Sequence, residues 1–166
     1  MLLFIKKSYA DIFEDFYNIT NGDIIIGGSL SLKLQDIIDR DINDLDLDIS
    51  KSDWYKYESK IIKKYKIYYE GITSLMPSVK YEYINNTCLN KQNKNEFHLF
   101  INNIDDTKLE YNTIIYNNTP IRVRKPELVL LDKECMLLDD TTGKHILDIA
   151  IIKKYLNEKE TTNSWG

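Results

Sequence analysis

Apolar positions along this chain change period several times, and the changes outline its elements. Ile12, Phe13, Phe16 and Tyr17 recur at helical spacing, with Asp11, Glu14 and Asp15 near the start and Ser8 placed to cap, which predicts a helix over 8–18. Asn21-Gly22 is a turn signal, and Asp23-Ile24-Ile25-Ile26 then reads as a short buried strand stopping at Gly27-Gly28-Ser29. Leu30, Leu32, Leu34, Ile37 and Ile38 suit a short helix over 30–38. Leu45, Leu47 and Ile49 alternate with Asp44, Asp46 and Asp48, so a strand is expected with apolar residues on one face and carboxylates on the other. Ser50 or Ser52 caps the next helix, which reaches about residue 64 and buries Trp54, Tyr57, Ile61 and Ile62.

Strands follow over 66–70, 80–85, 96–101, 111–116 and 121–123, with Asn117-Asn118 as a hairpin tip. Lys125-Pro126-Glu127 opens a helix to about 138, with proline near its first position. Thr141-Thr142-Gly143 breaks it, and a last helix covers about 144–158 before a frayed tail. The pattern predicts one α/β (α+β) domain over 1–166, a central mixed sheet flanked by helices. Its core covers about 20–125 and its C-terminal helical part about 126–158.

Hydrophobic residues make up 43% of the 166 positions, enough for an ordinary core. With 22 basic and 26 acidic residues the formal charge is -4, which excludes a general nucleic-acid coat but leaves room for a local basic groove. Cys88 and Cys135 are too far apart in sequence to suggest a disulfide framework or a zinc site. After Met1 the chain is apolar only through Ile5 and then turns basic, which does not read as a secretory signal, and no apolar run approaches a bilayer span of ~18 residues. A cytoplasmic protein without a membrane partner is expected. Tyr65, Tyr68, Tyr69, Tyr81 and Tyr83 are read as half-buried strand residues rather than a base-stacking platform.

The segment with chemical content is Gly27-Gly28-Ser29 followed by Arg40 and then Asp44-Leu45-Asp46-Leu47, with room for one helix between. On a strand, Asp44 and Asp46 point from one face with Cα atoms ~7 Å apart. Two carboxylates that close need a cation, a proton or water between them. Two Mg²⁺ ions bridged by carboxylate oxygens are the arrangement used for in-line phosphoryl displacement, and hard oxygen ligands favour Mg²⁺ or Mn²⁺ over zinc. The glycines remove side-chain bulk, so backbone N–H groups can approach phosphate oxygens, while the Ser29 hydroxyl and the helix start add donors. Ser29 is not read as a nucleophile, because the sequence places no His near it and lacks the strained elbow pattern.

This pattern resembles the nucleotidyltransferase superfamily with the polymerase-β-type core, including small phage and bacterial minimal or toxin-type members. The matching residues are the Gly-Gly-Ser turn, Arg40 four residues before Asp44, and Asp44-Leu45-Asp46 on the next strand. Weaker agreement comes from the hairpin leading into Lys125-Pro126-Glu127, from Lys133, and from Lys144-His145-Ile146-Leu147-Asp148-Ile149. The resemblance implies a nucleoside triphosphate (NTP) substrate and two Mg²⁺ ions on Asp44 and Asp46. It implies phosphates held by Gly27, Gly28 and Ser29, and neutralising roles for Arg40, Lys133 and Lys144. The NMP would pass to a hydroxyl of a small molecule, a tRNA or a protein. The third carboxylate of such enzymes falls, by register, on His98, with Glu96 two residues earlier on the same face and Asp48 as a spare acid on the Asp46 strand. Glu96 or His98 is then the group that assists the acceptor hydroxyl. The alternative is a catalytically degenerate protein of the same fold, a structural or accessory component such as a phage virion protein. Lys144, His145 and Asp148 are read as a solvated helix start, although Lys144 opposes the helix dipole there.

Overall fold

A computed structural model describes residues 7–76, 81–90, 96–102, 110–137 and 142–164, with backbone alone at 68–76, 81–90 and 96. The elements are α1 (Lys7–Thr20), β1 (Ile25–Ile26), α2 (Gly28–Leu34), β2 (Asp46–Ser50), α3 (Lys51–Lys64), β3 (Tyr65–Met76), β4 (Tyr81–Asn90), β5 (Glu96–Asn102), β6 (Tyr111–Tyr116), β7 (Thr119–Arg124), α4 (Pro126–Met136) and α5 (Lys144–Asn163). The strands form one seven-stranded sheet in the order β3-β4-β5-β2-β1-β7-β6. β2 runs parallel to β5 and β1 parallel to β7, while the other neighbouring pairs are antiparallel. The mixed sheet expected from the sequence is therefore present. Among the described residues, no helix is long and apolar enough to cross a membrane.

The core forms where the apolar stripes meet. α1 and α3 pack together, and α3 lies against β2, β3 and β5. α2 lies against β7 and α4, and α4 against α5. Phe16, Tyr65 and Phe97 make an aromatic cluster with ring centroids 4.9, 5.4 and 5.4 Å apart. These are tilted and edge-on contacts, which match the ring quadrupoles. Tyr65 is thus a core residue whose hydroxyl donates to Asp15 at 2.7 Å, while the side chains of Tyr68, Tyr69, Tyr81 and Tyr83 lie outside the described residues.

Several boundaries move for local reasons. Ser50 caps α3, its hydroxyl accepting from the Asp53 amide at 3.1 Å. Ile61 is buried whereas Ile62 is 47% exposed, since successive helical residues turn by about 100° and only one of the two can face the core. Asn117 and Asn118 both take positive φ, +47° and +62°, the geometry of a tight hairpin tip. α5 continues to Asn163, past the expected end near 158. One correction concerns the site. β2 begins at Asp46, so Asp44 is not a strand residue. The ladder on the β1 side closes with the Gly27 amide on the Asp46 carbonyl at 2.9 Å, and upstream of Leu45 the chain leaves the sheet.

Replacing Phe16, which is fully buried, by Ala removes the centre of the aromatic cluster. The expected cost is about 3–5 kcal/mol, read as a lower urea midpoint at unchanged slope. A loss under about 1 kcal/mol would contradict this packing.

Candidate active site

The site begins at a glycine corner pressed against the acid face of β2. Gly28 has φ +53°, and a Cβ built there would lie 2.0 Å from Asp46 Oδ2. A Cβ at Gly27 would lie 2.5 Å from Asp48 Oδ2. Neither position accepts a side chain without displacing a carboxylate, and Gly28 also needs the left-handed conformation that glycine adopts freely. The Gly28 backbone therefore lies close against the Asp46 side chain.

Asp46 and Asp48 point to the same face but differ in surroundings. Asp48 is buried, and burial raises its pKa. The Arg124 guanidinium at 3.3 Å and the Asn102 amide at 3.2 Å offset that in part. Its Oδ2 has no hydrogen-bond partner and rests against Gly27. The spare carboxylate of the sequence reading is thus walled off behind the corner. Asp46 is partly exposed at the strand start, and its second oxygen meets His98 Nδ1 at 3.0 Å. His98 stands directly across from Asp46 in the parallel β2/β5 register, where the sequence placed the third acid. Its side chain is 43% exposed, so the ring is open to solvent beside Asp46. Glu96 opens β5, and its side chain lies outside the described residues.

Beside the corner sits a compact ionic network centred on Ser29. Arg40 grips Asp148 with two parallel bonds, Nε to Oδ1 at 3.0 Å and Nη2 to Oδ2 at 2.6 Å. Lys133 Nζ reaches Asp148 Oδ2 at 2.8 Å. Both cations also donate to Ser29 Oγ, Arg40 Nη2 at 2.7 Å and Lys133 Nζ at 3.1 Å. Burial pushes the Asp148 pKa up, but the hydrogen bonds and charges of Arg40 and Lys133 outweigh it and hold the pKa below the usual value. The hydrogen bond to Asp148 correspondingly raises Arg40. The loop carrying Arg40 is tied down by Lys33 Nζ on the Arg40 carbonyl at 2.8 Å.

Asp148 is fully buried, so its reading as part of a solvated helix start is wrong. It lies on the stripe of α5 that includes Ile149 and Ile152, both buried, and that stripe packs on α4 where Lys133 is. A carboxylate on an apolar helix stripe was the available signal, and a buried acid implies a buried cation. Lys144, one turn earlier, reaches instead toward Asp44, Nζ to Oδ2 at 3.5 Å.

The structure therefore gathers Gly27, Gly28, Ser29, Arg40, Lys133, Asp46 and His98 in direct contacts, with Asp44 and Lys144 as an adjoining pair. Among the described residues, no three His, Cys, Asp or Glu side chains cluster as a ready-made metal cage. The donors still fit Mg²⁺, which is ordinarily held by one or two carboxylates plus substrate phosphates and water.

No protein-family model and no curated protein sequence matches the chain. Solved structures do. A Thermotoga maritima protein named provisionally as a nucleotidyltransferase superposes with TM-score 0.53 at 14% identity, covering 93% of this chain and 96% of that one. A Helicobacter pylori protein named in the same way superposes with TM-score 0.53 at 21% identity, covering 91% of this chain and 69% of that one. The chain has the nucleotidyltransferase fold. Within that fold, the Gly-Gly-Ser corner, the β2 acids and the C-terminal cations occupy one neighbourhood of this nucleotidyltransferase-fold protein, as the contacts above establish.

Asp148→Asn would leave Arg40 and Lys133 without their anion. Breaking such a buried cluster is expected to cost about 3–5 kcal/mol at pH 7. Asp148 has a lowered folded-state pKa. Its stabilisation is therefore complete above the unfolded value of about 3.9, and is lost as pH falls through the folded value beneath that. Denaturation curves of the parent and Asp148→Asn proteins should accordingly converge on acidification through that window. A gap that stays constant down to pH 2 would contradict the ion-pair account.

Proposed function

We propose that this protein moves a nucleoside monophosphate from an NTP to a hydroxyl acceptor, releasing pyrophosphate. The observation that carries the reading is the state of Ser29. A hydroxyl has two acceptor lone pairs and one proton to donate. Arg40 and Lys133 occupy both lone pairs. The Ser29 oxygen then has no lone pair left for nucleophilic attack, and its O–H is fixed as a donor next to a bare backbone corner and two cations. That is a pre-organised anion site, and it adjoins a partly exposed carboxylate on β2.

In this reading Asp46, with Asp44, holds the divalent ion, which supplies charge neutralisation at the reacting phosphate. The Ser29 hydroxyl donates to a phosphate oxygen, and Gly28 leaves space for that oxygen to approach the backbone. Arg40 and Lys133 keep Ser29 oriented and add positive charge where negative charge builds up on the leaving pyrophosphate. In the neutral tautomer that donates Nδ1–H to Asp46 Oδ1, the lone pair of the His98 ring lies on Nε2. Nε2 takes the acceptor's hydroxyl proton, the oxygen attacks the α-phosphorus, and the bond to the bridging oxygen breaks. The same histidine favours a second reading. A protein with His98 where such enzymes carry an acid could bind the triphosphate without transferring it.

Ser29→Ala is expected to weaken triphosphate binding about tenfold, as for loss of a hydrogen bond to a charged group, measured by calorimetry with Mg²⁺. Asp46→Asn is expected to abolish Mg²⁺-dependent transfer of label from α-labelled NTP into a cell extract. Labelling that survives Asp46→Asn would overturn the assignment. Tight binding by the parent protein with no labelling in any extract would establish the second reading instead.

A further inference from the structure

Lys144 opens α5 directly after Gly143, whose φ is +72°. A lysine there is disfavoured by the helix dipole, which presents its positive end to that turn. What opposes the dipole is Asp44, with the ammonium 3.5 Å from Oδ2. The pair is loosely made. The two side chains are 38% and 58% exposed, and the separation exceeds that of a close charge-assisted hydrogen bond. The contrast with Lys133 is sharp, since that ammonium is buried 2.8 Å from Asp148 and cannot leave without stranding a charge. One turn of α5 thus carries a fixed anion, Asp148, and an exchangeable cation, Lys144.

We infer that Lys144 holds the place of a divalent cation at Asp44 and gives it up when ion and triphosphate enter together. The inference rests on the function proposed above. It assigns Lys144 a positioning and coupling role beyond general charge neutralisation. Ammonium and metal ion compete for the same carboxylate oxygen, so the ion binds weakly while Lys144 is in place. A triphosphate offers the displaced ammonium a stronger anion. Each ligand therefore favours the other, and the coupling is reciprocal. The exposed pair is weak enough to be exchanged, because such pairs are individually worth little.

The test counts Mn²⁺ bound to the intact chain by electron paramagnetic resonance, with and without an α,β-methylene triphosphate analogue. Lys144→Gln is expected to tighten Mn²⁺ binding about fivefold without nucleotide. It should also reduce the further tightening that the analogue gives the parent protein. In an Asp44→Asn background the Lys144→Gln effect should vanish. Circular dichroism melts identify folded samples, and the exposure of both residues makes these variants mild. If Asp44→Asn weakens Mn²⁺ binding but Lys144→Gln does not strengthen it, this inference fails and the metal role of Asp44 stands. If Asp44→Asn leaves Mn²⁺ binding unchanged, the inference and that metal role fall together.

Discussion

The close approach of Gly28 to Asp46 is the constraint on which the site depends. The 2.0 Å gap between an imagined Cβ and Asp46 Oδ2 means that the corner can lie here only as bare backbone. Once it does, Ser29 is the first side chain available to the hollow, and its hydroxyl meets Arg40 and Lys133. Those cations come from the loop before β2 and from α4, and Asp148 from α5 binds them together. Four separate segments are thus fixed relative to one carboxylate by a single backbone conformation.

Two kinds of charged contact divide the labour. The buried contacts, Asp148 with Arg40 and Lys133, and Asp48 with Arg124, set geometry, because breaking them would leave a charge in low dielectric. The more open ones, His98 with Asp46 and Lys144 with Asp44, lie where the proposed ligands would arrive, and such pairs are individually worth little. Asp46 and Asp48 illustrate the division on one strand. They share a face with only Leu47 between them, yet one opens on solvent beside His98 while the other is sealed behind Gly27.

Much of this was legible in the chain because it rests on local rules. Turn chemistry located Asn117-Asn118 and the Gly-Gly-Ser corner, and period-two alternation located β2. Spacing put the Gly-Gly-Ser corner and the β2 acids in one neighbourhood, and the family resemblance added Arg40 and set His98 at the position that lies across from Asp46. The less legible part depended on tertiary packing. Asp44 fell off the strand because the ladder ends where β1 ends, and alternation cannot show where a partner strand stops. Asp148 looked like surface because it sits in a charged helix start, and only the packing of α5 on α4 reveals that its stripe faces inward beside Lys133. Ile62 was misassigned by treating two adjacent isoleucines as one buried patch.

The most direct test of the central claim is a crystal structure with Mn²⁺ and a non-hydrolysable NTP, read by anomalous scattering at the manganese edge. The account predicts a manganese peak within coordination distance of an Asp46 carboxylate oxygen, and a phosphate oxygen in hydrogen-bond contact with Ser29 Oγ. Manganese and triphosphate ordered elsewhere on the molecule, with the glycine corner empty, would contradict it.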